Sequence, residues 1–117
     1  LAMARRARRS RAAYIDGRLI CIFGVSSRSI VSRIGCPWAL MTRAADRPEF
    51  RREIVADSRI GLEWLSEDFG RLWNLVAEEN RTAIRWLKWL GFRFGGHGVT
   101  LRGHRFLHFE KETDLVP

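Results

Sequence analysis

Residues 80–92, Asn-Arg-Thr-Ala-Ile-Arg-Trp-Leu-Lys-Trp-Leu-Gly-Phe, constrain the fold more than any other stretch, because a helix start, a helix stop and a core-facing stripe lie within one short segment. Asn80 has the short polar side chain that accepts a hydrogen bond from the first free helical amides, so it reads as an N-cap. At a helical period Ala83, Ile84, Trp86, Leu87 and Leu90 share one face, Trp89 sits at its border, and Arg81, Arg85 and Lys88 point away. Gly91 can take the left-handed conformation that ends a helix, which lets Phe92 fold back onto the last turn. A helix this one-sided needs another layer to cover its stripe.

The flanking sequence supplies strands for that layer. Residues 12–15 and 18–25 read as a hairpin, since Asp16-Gly17 supplies the positive φ angles of a two-residue turn. The second of these strands is apolar on both faces, Leu19, Cys21, Phe23 and Val25 alternating with Ile20, Ile22 and Gly24, as in a central strand. A polar loop over 26–32 leads through Cys36-Pro37 to a third strand over 38–42. Asp46 and Glu49 stand at capping-box spacing around Pro48, predicting a helix to about residue 64 or 65 with Phe50, Ile54, Gly61 and Leu65 inward. Asp68-Phe69-Gly70 reads as a turn; the kinase reading of that triplet lacks its Gly-rich loop and paired lysine. Strands over 71–77, 92–94 and 103–110 follow, the last two separated by a loop with Gly95, Gly96 and Gly98 around His97. The order β-β-β-α-β-α-β-β, without internal repeats, is that of an α+β sheet with packed helices.

A length of 117 residues suits one domain, and 46% hydrophobic with 29% charged residues is a globular balance. No apolar run approaches the ~20 residues of a membrane span, and no apolar signal region follows the Arg-rich start, so a soluble intracellular setting is expected. Leu1 is not a Met, so a fragment, a processed product or a non-standard start is expected. Cys21 and Cys36 are too few for a disulfide framework and read as buried thiols. The net charge of +8 is concentrated in residues 1–33, which hold eight Arg against Asp16 alone. Arg outnumbers Lys 19 to 2, which, with Ala and Gly also plentiful, reads as the codon bias of a GC-rich genome rather than as selection for phosphate recognition. Residues 1–11 are expected to form a solvated helix or a mobile basic arm, separate from a domain over 12–117. Arg5, Arg6, Arg8, Arg9 and Arg11 are the candidates for non-specific nucleic-acid contact, because nothing else in the chain offers a base-reading element. Trp38, Trp64, Trp73, Trp86 and Trp89 are expected to pack before they stack on bases.

An apolar strand, an Asn-capped amphipathic helix and a Leu-Gly-Phe exit resemble the second half of the GNAT N-acetyltransferase fold, whose closing helix reads Asn-x-x-Ala-x-x-x-Tyr-x-x-Leu-Gly-Phe; Asn80, Ala83, Leu90, Gly91 and Phe92 match. The wording of residues 84–92 is similar to a subgroup encoded by tailed bacteriophages, acetyltransferase-like internal virion proteins, and that likeness extends over 16–25, 37–42 and 72–77. The resemblance implies a mixed, mainly antiparallel sheet with packed helices. It also implies that the first strand and most of the two early helices of the family are missing, and a setting in the virion or the host cytoplasm.

The resemblance places a CoA pyrophosphate on a loop reading Gln/Arg-x-x-Gly-x-Gly/Ala, where backbone amides at a helix start receive the anion. The equivalent residues 42–50 contain no glycine, Asp46 brings a negative charge and Pro48 removes a donor. The family's general acid, a tyrosine, falls on Leu87, which has no proton to give; Tyr14 is the only tyrosine, far off in sequence. Leu40, Met41, Thr42 and Asn80 are the residues that would touch a CoA arm, and Glu78 and Glu79 are candidate general bases, or simply helix-start carboxylates favoured by the dipole. His104 and His108 flank Phe106 on one strand face, but no close-spaced ligand pairs accompany them or the cysteines, so no metal is expected. The reading is a phage acetyltransferase-like fold that has lost its chemistry, binds no cofactor, and serves as a virion-associated structural or interaction module. The alternatives are an active acetyl-CoA-dependent N-acetyltransferase and a non-specific nucleic-acid binder. A protein partner or a homo-oligomer is expected, because a sheet without its first strand leaves residues 12–15 as an edge and one face of 19–25 uncovered, with Trp89 near the surface.

Overall fold

The computed structural model describes residues 7–27, 33–95 and 98–113. One mixed sheet of seven strands carries two α-helices. In chain order these are β1 (Ala7–Ile15), β2 (Arg18–Ser26), β3 (Ile34–Met41), α1 (Pro48–Ser66), β4 (Arg71–Ala77), α2 (Arg81–Trp89), β5 (Arg93–Phe94), β6 (Val99–Leu101) and β7 (His104–Glu112). The sheet order is β1-β2-β3-β4-β7-β5, with β6 also on β7. Every pairing is antiparallel except β3 with β4, which run parallel.

Helix α2 forms as its sequence dictates. Asn80 Oδ1 accepts the Ala83 N–H at 3.2 Å. At the other end the Phe92 N–H reaches Leu87 O and the Gly91 N–H reaches Lys88 O, both at 3.0 Å, while Gly91 sits at φ +97°, the Schellman arrangement. Lys111 Nζ donates to Leu90 O at 2.8 Å, a cation at the negative end of the helix dipole. Asp16 (φ 51°) and Gly17 (φ 77°) make the expected two-residue turn between β1 and β2.

The remaining differences from expectation have local causes. β1 begins at Ala7 rather than at residue 12, so Arg9 and Arg11 belong to a strand and not to a helix or arm; pairing with β2 outweighs the helix propensity of Arg and Ala. β3 runs from Ile34 and takes Pro37 inside it, facing the side away from β2's ladder. The capping box at Asp46 does not form. A short 3-10 helix, Arg43–Asp46, absorbs that residue, Arg47 becomes the N-cap of α1, and Asp46 pairs with Arg51 at 3.5 Å. A second hairpin joins β6 to β7 through Arg102 (φ 51°) and Gly103 (φ 79°), where only a loop and one strand were expected.

Both helices pack on one face of the sheet. Val25, Leu65, Phe69, Leu72, Leu90, Phe92 and Phe109 form the main core, and Ile20, Ala45 and Phe50 a smaller one near the start of α1. The helices also touch each other: Trp86 Nε1 donates to Ser58 Oγ at 3.0 Å and the Arg59 guanidinium lies 4.1 Å over the Trp89 ring. Arg9 and Arg11 stack on Trp64 at 5.2 and 4.2 Å, which places them on the helix face of β1. The opposite, open face carries Ile34, Leu40, Trp73, Leu75, Phe106 and His108, and no helix covers it among the described residues.

Candidate functional site

The parallel pairing of β3 and β4 holds for only two pairs, Ile34 with Arg71 and Gly35 with Leu72, after which the strands diverge. Two side chains account for this. In a continuing ladder the next rung would join Pro37 to residues 73 and 75. Proline has no N–H to offer Trp73 O, and the rung from Leu75 is intercepted: the Leu75 N–H donates to Asn74 Oδ1 at 2.7 Å, while Asn74 Nδ2 donates to Pro37 O at 2.8 Å. A carboxamide is therefore interposed where one backbone hydrogen bond would lie. The strands are held a side-chain's width apart at the vertex of a V-shaped gap.

Ladder alternation fixes what lines the gap. The Thr42 N–H donates to Ile20 O at 2.9 Å, so in β3 the even residues turn their amides to β2 and Ala39 and Met41 turn theirs into the gap. On the other strand the Glu78 N–H donates to Arg105 O at 2.9 Å, so Asn74 and Val76 pair with β7 while Leu75 and Ala77 face the gap. Such a cleft can take an extended chain that pairs with strand amides on both sides.

The expected site residues distribute unevenly around it. Leu40 and Met41 lie on the β3 limb and are 41% and 46% exposed. Thr42 ends that limb, but its hydroxyl is turned back to Leu19 O at 2.7 Å. Asn80 lies past the end of β4 with its side-chain oxygen spent on the helix cap. Glu78 and Glu79 follow β4, yet both carboxylates are drawn to the β7 side. Glu78 Oε2 lies 3.4 Å from Arg105 Nε, and Glu79 Oε1 lies 3.1 Å from His104 Nδ1. Leu87, where the tyrosine would stand, packs against the main core.

Beyond the gap, a small hollow of about 230 Å³ on the open face is lined by Ile34, Arg71, Trp73, His108 and Glu110. It falls short of the ~300–1,000 Å³ usual for small-molecule pockets. His108 lies against Trp73 with ring centroids 5.4 Å apart, and so is separated in role from His104. Among the described residues no three His, Cys, Asp or Glu come together in a metal-holding group. Burial pushes the Cys21 thiol up from its ordinary value, which keeps it in the unreactive form at neutral pH. Of the basic residues, Arg9 donates to Trp64 O at 2.7 Å and to Glu67 Oε2 at 2.8 Å and approaches Asp68 at 3.5 Å. Arg5 and Arg6 lie outside the described residues, as does the side chain of Arg8. No helix among the described residues is long and apolar enough to cross a membrane.

The residues that sequence reasoning missed are Pro37 and Asn74. A proline inside a strand, and an amide in the middle of the apolar run Leu72 to Val76, were the available signals.

No family model matches the sequence, and no curated protein matches it. Solved structures do. A spermidine N-acetyltransferase chimera built on the Vibrio cholerae enzyme aligns with TM-score 0.70 and 14% identity, covering 88% of this chain and 65% of that one. A GNAT-family acetyltransferase of Streptococcus pneumoniae aligns with TM-score 0.67 and 17% identity, covering 89% and 66%. The V. cholerae spermidine N-acetyltransferase in complex with CoA and spermine aligns with TM-score 0.62 and 15% identity, covering 81% and 59%. The fold is that of the GNAT acetyltransferases, and the chain spans less than two thirds of the length of each of these neighbours.

Proposed function

We propose that this chain is an acetyltransferase-like module from a tailed bacteriophage whose acyl-transfer machinery has been lost, and that it acts by holding a protein partner, as a virion-associated component. The observation that carries the reading is the join between β3 and α1. One neighbour of this fold holds CoA. A CoA pyrophosphate would need free amides at the start of α1. Here that position offers Pro48 without an N–H, Glu49 in the first turn and exposed Asp46 paired to Arg51. Leu87, packed against the core, supplies no acid to a leaving thiolate. The phage assignment is supported by the wording of residues 84–92.

Acetyl-CoA should therefore bind in the millimolar range. Charge-assisted contacts are worth about 1.5–3 kcal/mol each, and losing two or three of them takes a micromolar ligand there. Titration calorimetry reads this directly, and a Kd below about 50 μM would overturn the reading. Acetyl transfer by the intact protein that disappears in Glu78→Gln or Glu79→Gln would replace it with an active N-acetyltransferase.

A further inference from the structure

We infer that the gap between β3 and β4 is a docking slot for an extended segment of a partner protein, an apolar pair of residues followed by acidic ones, which enters the sheet parallel to both strands. The proposal rests on the reading of this chain as an interaction module and names the surface it uses.

The hydrogen-bonding groups around the gap fix the direction of the segment. An antiparallel neighbour of β4 needs the N–H and the C=O of one residue together. Neither residue on this limb has both to give: the Leu75 N–H is spent on Asn74 Oδ1 at 2.7 Å, and Ala77 O accepts the Asn80 N–H at 3.0 Å. Leu75 O and the Ala77 N–H are left. A residue in a parallel ladder donates to the residue before its partner and accepts from the one after it, so these are the groups that a parallel neighbour of Val76 uses. The next residue of such a segment faces the other limb, where Ala39 O and the Met41 N–H repeat the arrangement around Leu40. The register agrees. Carried forward from Ile34–Arg71 and Gly35–Leu72, it sets Ala39 level with Val76 and Leu40 level with Ala77, the offset that consecutive residues of a single strand require. One chain running in the direction of β3 and β4 therefore meets both limbs, and its backbone supplies the affinity, as in other cases of strand addition.

Side chains and charge select the occupant. Residues paired across a ladder share a face of the sheet. The first residue of the segment thus lies with Val76, which packs against the main core, and the second lies between Leu40, an exposed leucine, and the small Ala77. Both surroundings are apolar. A parallel segment leaves the gap at its wide end, C-terminal side first. There Arg43 stands just beyond β3 and Arg81 opens α2, both exposed and without a carboxylate partner among the described residues, whereas Glu78 and Glu79 are matched by Arg105 and His104. Carboxylates that follow the apolar pair meet those arginines, which gives the slot a sign as well as a direction.

The test uses the peptide Gly-Val-Leu-Asp-Glu, blocked at both ends, and its reversed sequence, which has the same composition, with amide exchange followed by NMR. The forward peptide should slow exchange at Ala39, Met41 and Ala77 while leaving Leu40 and Val76, already in the β2 and β7 ladders, unchanged. It should bind at least about tenfold more tightly than the reversed peptide, a factor equal to ~1.4 kcal/mol. A nitroxide on its C-terminal end should broaden the signals of Arg43 and Arg81, and one on its N-terminal end those of Trp73 and Asn74. Met41→Pro removes a donor that faces away from the β2 ladder and should weaken binding by a similar factor. Methylating the leucine nitrogen of the peptide removes the bond to Ala39 O with the same expected loss, which keeps the test valid if the proline variant unfolds. Replacing Asp-Glu of the peptide by Asn-Gln should also weaken binding, and Arg43→Glu combined with Arg81→Glu should erase that difference. Equal binding of the two directions, the opposite pattern of broadening, or no protection at Ala39, Met41 and Ala77 overturns the proposal. Tight acetyl-CoA binding would remove the interaction-module reading and the proposal with it, whereas a silent peptide with weak acetyl-CoA binding removes only the docking slot.

Discussion

Phe69→Ala should cost about 3–5 kcal/mol, the usual price of emptying a fully buried aromatic site. Phe69 is 0% exposed, and its ring lies so close under β3 that a Cβ on Gly35 would come within 2.9 Å of it. Its backbone is equally committed. The N–H donates to Ser66 O at 3.0 Å, its carbonyl accepts the Thr113 hydroxyl, and the adjoining Gly70 N–H donates to Arg33 O at 2.8 Å. The residue therefore ties α1, β3, β4 and the end of β7 together at the vertex of the gap. Against a typical total of roughly 5–15 kcal/mol, such a loss removes from about a fifth of the stability to nearly all of it. Urea titration would show a midpoint lowered by a large fraction of its value. A loss under about 1 kcal/mol would mean that the ring is not the keystone this packing describes.

Asn74 variants carry the second large effect, and they separate spacing from simple polarity. Asn74→Leu keeps the branched shape but leaves the part-buried Leu75 N–H and Pro37 O without their partner, at about 1–3 kcal/mol. Asn74→Asp should be worse at neutral pH, because a carboxylate opposite Pro37 O sets acceptor against acceptor. Protonation restores a donor, so the defect should ease as the solution is acidified, opposite in sign to the usual loss of stability of a carboxylate that is paired in the fold. Denaturant midpoints at two pH values, with Leu75 amide exchange, measure both. If the two variants match the parent protein and the Leu75 amide exchanges at an unchanged rate, then the carboxamide does not hold the vertex.

What the sequence made legible were features whose causes lie close together along the chain. The cap at Asn80, the stripe through Leu87, the stop at Gly91 and the turn at Asp16-Gly17 each depend on neighbours within a few residues, and all appear where expected. The hairpin at Arg102-Gly103 escaped because arginine does not advertise the left-handed conformation it adopts there. Phe69 read as part of a turn, since nothing local tells that a turn phenylalanine will be roofed by a strand more than thirty residues earlier. The gap between β3 and β4 has no signature in either strand taken alone. Its local cause, Pro37 against Asn74, becomes visible only once β3 and β4 are known to be neighbours. Thr42, Glu78 and Glu79 stand at the ends of β3 and β4, where their side chains are engaged by Leu19, Arg105 and His104, which no spacing rule foretells.

The two-pair junction between β3 and β4 also bears on how the molecule breathes. Strands β1, β2 and β3 form an antiparallel meander, β4, β5 and β6 each pair with β7, and among the described residues the strand pairs Ile34–Arg71 and Gly35–Leu72 join the two halves into a single sheet. Besides the hydrogen bond from Asn74 to Pro37, a further link runs through α1, whose Trp64 meets Phe23 edge-on at 6.2 Å and whose Leu65 enters the main core. Such an arrangement divides the protein into two cooperative blocks coupled through a helix, each able to open without tearing a full ladder from the other. Native-state hydrogen exchange should accordingly sort β2 and β7 amides into two groups with distinct opening free energies. A partner that bridges both halves would then be felt as a rise in the lower of the two, a stiffening of the molecule with no change in its average shape.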